Sequence, residues 1–468
     1  MLQHAAAAGL SMLVPACRRT EPEKSAQDTN GVFAEGALRL DWQQRLVAGA
    51  ESFTLEQLRL ERKWHGRERK AADGPDWGDY RLSVYDPNSE ALLFRQGFDS
   101  SLAPDARAAM TQLSVRFPMP RHPVRAAIEK RRGERAFFTV AKVGIDPDVS
   151  DIDRSPGATA MRVDAIFAGG EPGAKVDLAI LGDGYREAEY PKFLDDAKRA
   201  AGYLFSVEPF NRRKRDFNVS SVFAASADSG VTDPYLGLKK DTVFRCAYGN
   251  GGSERSLADG NNQAVREVAS AVPYDFLVIL ANARRYGGSS YFGGPAVVAI
   301  DSAAARYLVI HEFAHSIGGL ADEYYIPAAG GPSYFGNVEP WHANVTISPE
   351  KKKWHDLLTG PGQWPTAWNK VEYEKYFASY VKQYEALRAS GAEEAAIEKF
   401  MDRERQRQAA LLAKNGNQRK VGYYEGANGH AKGMFRAEVD CIMFSLQTRY
   451  FCAACSAAIE RMIDEHCR

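Results

Sequence analysis

The chain has 468 residues, 45% of them hydrophobic, enough to bury more than one core; at about 150 residues per domain it divides into two or three domains. Lys+Arg and Asp+Glu both total 60, so the formal net charge is zero. That balance argues against the basic stripe of a nucleic-acid binder, and no nucleic-acid partner is expected.

In the first thirty residues a short apolar run, AAAAGLSMLVPAC, ends in small residues at Cys17 and gives way to the polar tail RRTEPEKSAQDTN. The run is too short to span a bilayer as a helix and has the form of the apolar part and cleavage site of an export signal. LVPAC looks like a bacterial lipoprotein box with Cys17 as the lipidated residue, although Pro15 and the uncharged start MLQH depart from that pattern. The expectation is an exported protein, anchored in the cell envelope by a lipid on Cys17 or secreted, with residues 1–34 as signal and linker.

From 35 to 165 the pattern is strand-like. RLSVYD, QLSVRF and VRAAI alternate apolar and polar residues, with turn signals such as DPN and RRGE between them. This predicts an antiparallel β-sandwich carrying no cluster of catalytic residue types, hence an accessory domain.

The character changes at AKVDLAILGDGY (174–185), a continuous apolar strand ending in a Gly-rich turn. An amphipathic helix, REAEYPKFLDDAKRAAGYLFS, follows, then the strands FNVSSVFAA, YDFLVILAN (274–282) and PAVVAID (295–301). Strands alternating with helices predict an α/β domain from 166 to 468, so the chain as a whole is read as multidomain α+β. GDG and YGNGGSER lack the spacing of a phosphate-cradling loop and read as tight turns.

At 311–325 stands HEFAHSIGGLADEYY. On a helix, residues four apart share a face, so His311 and His315 can bind one metal ion through neutral imidazoles. Glu312 is rotated by about 100° and need not ligate. It can instead take a proton from a water that zinc has acidified towards a pKa of about 7. Leu308, Val309, Ile310 and Phe313 seat the helix in a core, and Gly318–Gly319 stands where the chain must turn. One catalytic zinc ion is the expected cofactor.

Residues 366 to 415 are charged and helical. Tyr373, Tyr376, Phe377, Tyr380, Tyr384 and Leu387 recur at three- and four-residue steps, as do Ile397, Phe400, Met401, Leu411 and Leu412, and ASG (389–391) breaks the pattern. This predicts a helical hairpin insertion packed on the catalytic domain. Four of the remaining cysteines, Cys441, Cys452, Cys455 and Cys467, crowd the last thirty residues, as disulfides do in an oxidising compartment. CAAC as a metal knuckle would need a second close pair, and Cys441 and Cys467 are poorly spaced for it. Disulfides are therefore expected, with Cys246 apart.

The long segments are also recognisable. HEFAHSIGGLADEYY resembles the active-site signature of the IgA-peptidase family of bacterial zinc metallopeptidases. ILGDGY, FNVSSVFAASADSGVTDP, ANARRYGGSSYFG, NVEPWHANVT, GYYEGANGHAKGMFRAEVDCIMF and FCAAC look like family segments in family order, and LSVYDPNSEALLFRQGF is similar to the family's N-terminal domain. The resemblance covers about 35 to 468. It implies an exported zinc endopeptidase with a metzincin-like catalytic domain, acting on a protein or peptide; it does not imply immunoglobulin A as substrate. By the same resemblance, Met443 in CIMFS stands at the methionine turn beneath the zinc. Tyr286, Gly287 and Gly288, in YGGSSYFGG, fall where an edge strand would pair with substrate backbone.

The third ligand is the open question. Metzincins complete the motif three residues after its glycine. Counted strictly from His311 that position is Ala321, which cannot bind zinc; counted from Gly319 it is Asp322. Asp322 is the expected ligand, with Glu323 and Glu339 as rivals, while His342, His355 and His430 lack a partner at helical spacing. Two other functions stay open at this level: an inactive homologue that binds proteins or glycans at the cell surface, and a zinc amidase acting on a non-peptide amide.

Overall fold

The computed structural model describes residues 31–467 except 62, 65, 67–74, 103–107, 156–160 and 326–337. The expected export segment, with Cys17, lies outside the described residues. The chain is α+β, with an N-terminal β region followed by a second region that carries the six α-helices found among the described residues.

Alternation in the N-terminal strands puts every second side chain on one face. One sheet runs in the order Ala108–Pro120, Phe33–Val47, Ala50–Glu61, Ile152–Asp153, and the other in the order Leu92–Phe98, Tyr80–Tyr85, Val124–Arg132, Ala136–Ile145. Pairing is antiparallel except for the short Ile152–Asp153. Leu38, Leu40 and Phe117 from the first sheet meet Leu82, Val84 and Ile128 from the second in one core. Each such side chain contributes about 1.5–3 kcal/mol on burial.

The second region is built on a six-stranded sheet in the order Gly288–Ser289, Ala296–Ala299, Phe276–Ala281, Val176–Asp183, Phe217–Phe223, Arg162–Ala168. The four inner strands are parallel and the two outermost antiparallel. Val176–Asp183 is buried along its whole length, which explains why its middle, Leu178 to Leu181, reads as an apolar run rather than an alternating one. The outermost strand Arg162–Ala168 straddles the expected boundary at 165/166, because alternation marks a strand but does not say which sheet it joins. Helices α1 (Tyr190–Leu204), α2 (Asn262–Ala269) and α3 (Ala305–Gly318) pack on this sheet, α3 most closely against Ala296–Ala299. The two regions meet where Arg116 lies 3.4 Å over the Tyr274 ring while its guanidinium donates to Glu61, 2.9 Å away.

Helices α4 (Lys370–Ala389) and α5 (Glu394–Ala413) form the expected hairpin. Tyr373 and Leu412 join the main core, and Ile397, Phe400 and Met401 pack with Tyr380, Tyr384 and Leu387 between the two arms. A small sheet of Val345–Thr346, His430–Arg436 and Tyr424–Ala427 and the final helix α6 (Ala453–His466) complete the region. Among the described residues no helix is long and apolar enough to cross a membrane.

Candidate active site and metal centre

Helix α3 is buried on nearly every side, so its composition is largely apolar all round; besides His311, Glu312 and His315 its only strongly polar residues are Arg306 and Ser316. It stops at Gly319, whose left-handed φ of +54° and N–H bond to the His315 carbonyl (3.1 Å) close the last turn. A side chain at Gly319 would strike the Trp341 ring at 2.6 Å, so both the turn and the packing require glycine.

The chain leaving that turn is held residue by residue. The Ala321 N–H and carbonyl both bond to the Asn344 side chain (2.9 and 2.8 Å). The Asp322 carbonyl accepts from Asn428 N–H, Glu323 N–H donates to the Met443 carbonyl, and the Tyr324 carbonyl accepts from Gly429 N–H. These bonds hold the chain so that Asp322 and Glu323 leave it on opposite sides. Asp322 and Tyr324 accordingly line the cleft beside α3, whereas Glu323 is fully buried behind it.

Three donor atoms converge. His311 Nε2 and His315 Nε2 are 3.1 Å apart, and Asp322 Oδ1 lies 3.1 and 3.3 Å from them. Tetrahedral bonds of about 2.0–2.1 Å to one zinc ion would set their ligands roughly 3.3 Å apart, so the trio fits such an ion. Asp322 Oδ1 is also a buried oxygen with no hydrogen-bond donor in good geometry, which leaves its lone pair for a metal. The far ring nitrogens are engaged: His315 Nδ1 lies 2.6 Å from the Leu320 carbonyl, and His311 Nδ1 lies 3.2 Å from the Ile442 carbonyl and 2.9 Å from the Tyr307 hydroxyl. Donation to those carbonyls from Nδ1 selects, in the neutral rings, the tautomer whose Nε2 can ligate.

Electrostatics follow from the crowding. Burial by itself would raise Asp322, but the two histidines hold it well below the usual carboxylate range. Burial by itself would lower His315, yet Asp322 holds its imidazolium up to about 9. Glu312 is pushed up by burial and by Asp322, against the opposing pull of the two histidines. Its carboxylate comes within 4.8 Å of a ring nitrogen of each histidine, so by distance alone Glu312 too could join the pair at a metal ion. It packs on the main chain of Gly288, where a Cβ would lie 2.9 Å from Glu312 Oε1.

The site opens into a cleft of about 490 Å³. One wall is the edge of the sheet, and Tyr286, Gly288, Ser289 and Ser290 line it. Gly288 begins the outermost strand as expected, but its N–H donates to the Arg255 carbonyl (3.3 Å), so that donor is already used. Gly287 faces away from the cleft, against the Tyr248 ring. The opposite wall is the helical hairpin, through Tyr376, Phe377, Tyr380, Glu404 and Arg405. Arg255 and Arg405 both line the cleft, and Arg255 stacks 4.2 Å over the Tyr286 ring.

Of the rivals for the third ligand, Glu323 points away from the histidine pair into a group of thiols, and Glu339 pairs with Lys353 at 2.8 Å. His342 Nδ1 lies 2.8 Å from the Gly319 carbonyl, and His430 Nδ1 lies 2.6 Å from the Asn428 carbonyl. His355 stands beside Asp356 at the surface. Met443 is fully buried, in a turn whose carbonyls at Ile442 and Met443 meet His311 and Glu323.

The cysteine expectation is corrected. All five described cysteines are unbonded thiols. Linear spacing made a metal knuckle look unfavourable, but the fold supplies the fourth group from Glu323, far away in sequence, and sets Cys467 apart. Sequence reading also missed the hairpin's place in the cleft wall, Arg255 and Tyr307. Only Tyr307 had a usable signal, four residues before His311 on the same helix face.

A family model described as IgA Peptidase M64 matches residues 165–463, and a second, described as Peptidase M64 N-terminus, matches residues 28–141. Comparison with curated proteins finds no match to the chain.

Proposed function

Because the chain belongs to the IgA Peptidase M64 family, and is thereby a metallopeptidase, we propose that it is an exported, zinc-dependent endopeptidase. Its zinc is held by His311, His315 and Asp322 in a metzincin-like domain over about 166–468, preceded by the accessory β-sandwich of 35–165. The observation that carries the reading is the three-way convergence of donor atoms at 3.1–3.3 Å beside an open cleft.

When bound, a zinc ion there would polarise the scissile carbonyl and lower the pKa of a neighbouring water. Glu312 takes the proton from the attacking water and later gives it to the departing amine. Its raised pKa suits both duties, since a base poised nearer neutrality also donates readily. Gly288 has no side chain, so the Glu312 carboxylate can sit against the main chain without being displaced. The strand end at Ser289 and Ser290 lines the cleft where an extended peptide would lie, and the Tyr-rich face of α4 covers it from the other side. Export, with a lipid on Cys17 as the anchor, supplies the compartment for such an enzyme.

The test is hydrolysis of casein and a quenched peptide library, with a chelator control. Internal cleavage that a chelator abolishes is expected; cleavage confined to a non-peptide amide, or none, would refute the assignment. Glu312→Gln is expected to keep its zinc and lose about a thousandfold in kcat/KM. Retained activity at full zinc would remove Glu312 from its role.

A further inference from the structure

Behind the cleft, Glu323, Cys441, Cys452 and Cys455 bring one carboxylate oxygen and three sulfurs within 4.8 Å of one another, and all four residues are fully buried. We propose that these four side chains form a second, structural metal site, built for zinc, that fixes the position of the reaction centre.

Three features support a metal over plain packing. The first is distance. Cys441 Sγ and Cys455 Sγ are 3.8 Å apart, and Glu323 Oε1 lies 3.3 Å from Cys452 Sγ and 3.1 Å from Cys455 Sγ. A tetrahedral zinc with bonds of about 2.3 Å to sulfur and 2.0–2.2 Å to oxygen sets sulfurs roughly 3.8 Å apart and sulfur and oxygen roughly 3.5 Å apart. A disulfide needs about 2.05 Å.

The second is the backbone. Cys452 caps the N-terminus of α6, where Cys455 N–H points at Cys452 Sγ (3.4 Å), and Cys452 N–H points at Cys441 Sγ (3.2 Å). Amide donors and a helix N-terminus stabilise thiolates, the ionised form that binds metal. The third is an orphan. Glu323 Oε2 is buried without a hydrogen-bond partner, an expensive state for a carboxylate unless a cation lies beside it. Three sulfurs with one oxygen are soft enough to select zinc over calcium or magnesium.

The chemistry is ligand exchange only. The ion takes lone pairs from three sulfurs and one oxygen, and the protons those groups carried leave to solvent. No redox partner is needed.

The site touches the reaction centre through the main chain. Glu323 directly follows Asp322, and its N–H bonds to the Met443 carbonyl at 2.8 Å. Cys441 lies in the turn whose Ile442 carbonyl meets His311. An ion here would tie the loop carrying Asp322, the methionine turn and α6 into one unit. These are positioning residues, since none of the four lines the cleft.

The experiment is elemental analysis of the zinc-supplied full chain, wild type and His311→Ala. Two zinc ions per chain are expected in the wild type and one in the variant, so this inference and the peptidase reading fail separately. In parallel, cobalt-loaded wild-type protein should show intense thiolate-to-cobalt charge-transfer absorption, which an exclusively His/Asp site cannot give; this arm does not depend on a variant folding. Cys455→Ser should bring the wild-type count down to one, lower the Tm and abolish that absorption. One zinc per chain with no such absorption overturns the proposal. So does a disulfide among Cys441, Cys452 and Cys455, found by mass mapping after alkylation without reduction.

Discussion

Replacing Asp322 by alanine separates it from its neighbour Glu323. The substitution removes one of three donors whose mutual spacings are 3.1, 3.1 and 3.3 Å, leaving two imidazoles that still share a helix face. A structural zinc site with four ligands contributes about 10–16 kcal/mol of apparent binding, so one donor accounts for roughly 2.5–4 kcal/mol. That corresponds to a loss of about two to three powers of ten in affinity. The side chain borders the cleft, so truncation opens space for water instead of leaving a closed cavity, and the fold should survive. The assay is competition for zinc against a chelator of known affinity, with circular dichroism as the folding control. Excess zinc should partly restore hydrolysis in Asp322→Ala but not in Glu312→Gln, because only the former is short of metal. An unchanged zinc affinity in a folded Asp322→Ala protein would refute the reasoning and return the search to other donors.

Glu323→Ala should behave oppositely, keeping zinc at the histidine pair while losing the ion behind it and lowering the Tm. Gly288→Ala puts a methyl 2.9 Å from Glu312 Oε1 and 3.1 Å from the Val297 carbonyl; it should cut kcat about tenfold or more at unchanged zinc content, because misplacing a catalytic group by a fraction of an ångström is costly. Gly319→Ala combines a φ of +54° with a 2.6 Å contact to Trp341 and should cost about 1–3 kcal/mol in denaturant unfolding; no loss would mean that the turn tolerates a side chain. Without metal, Asp322 keeps His315 protonated to about 9, above the usual 6.5. Zinc must displace that proton, so its affinity should rise about tenfold per pH unit up to roughly pH 9 and level off above. By the same sign, the stability that the His315–Asp322 pair gives the metal-free protein is present below pH 6.5 and lost as pH rises through 9. A metal-free Tm that increases across that window would contradict the pairing.

Much of the site could be read from HEFAHSIGGLADEYY, because a helix places i and i+4 together regardless of what surrounds it. The strands of the large sheet were legible for a related reason: a strand buried on both faces is apolar along most of its length. The hairpin followed from its own three- and four-residue periodicity, although its role as a cleft wall did not, since periodicity gives a face but not what that face covers.

Asp322 and Glu323 show where local reading ends. Both are carboxylates, adjacent, after the same glycine, and spacing could rank them but not assign a role to the second. Tertiary structure separates them, because Asn344, Asn428 and Met443 pin the chain so that consecutive side chains leave on opposite sides. The cysteines make the same point. Cys441, Cys452 and Cys455 lie close in sequence, but the group that turns them from candidate disulfide partners into a four-donor cluster stands more than a hundred residues earlier. The sequence by itself determined the elements and the histidine pair, which depend on neighbours a few residues apart. Which carboxylate faces the histidines and which faces the thiols depended on long-range contacts, and these exist only once the loop after α3 is clamped between the small sheet and the turn at Met443.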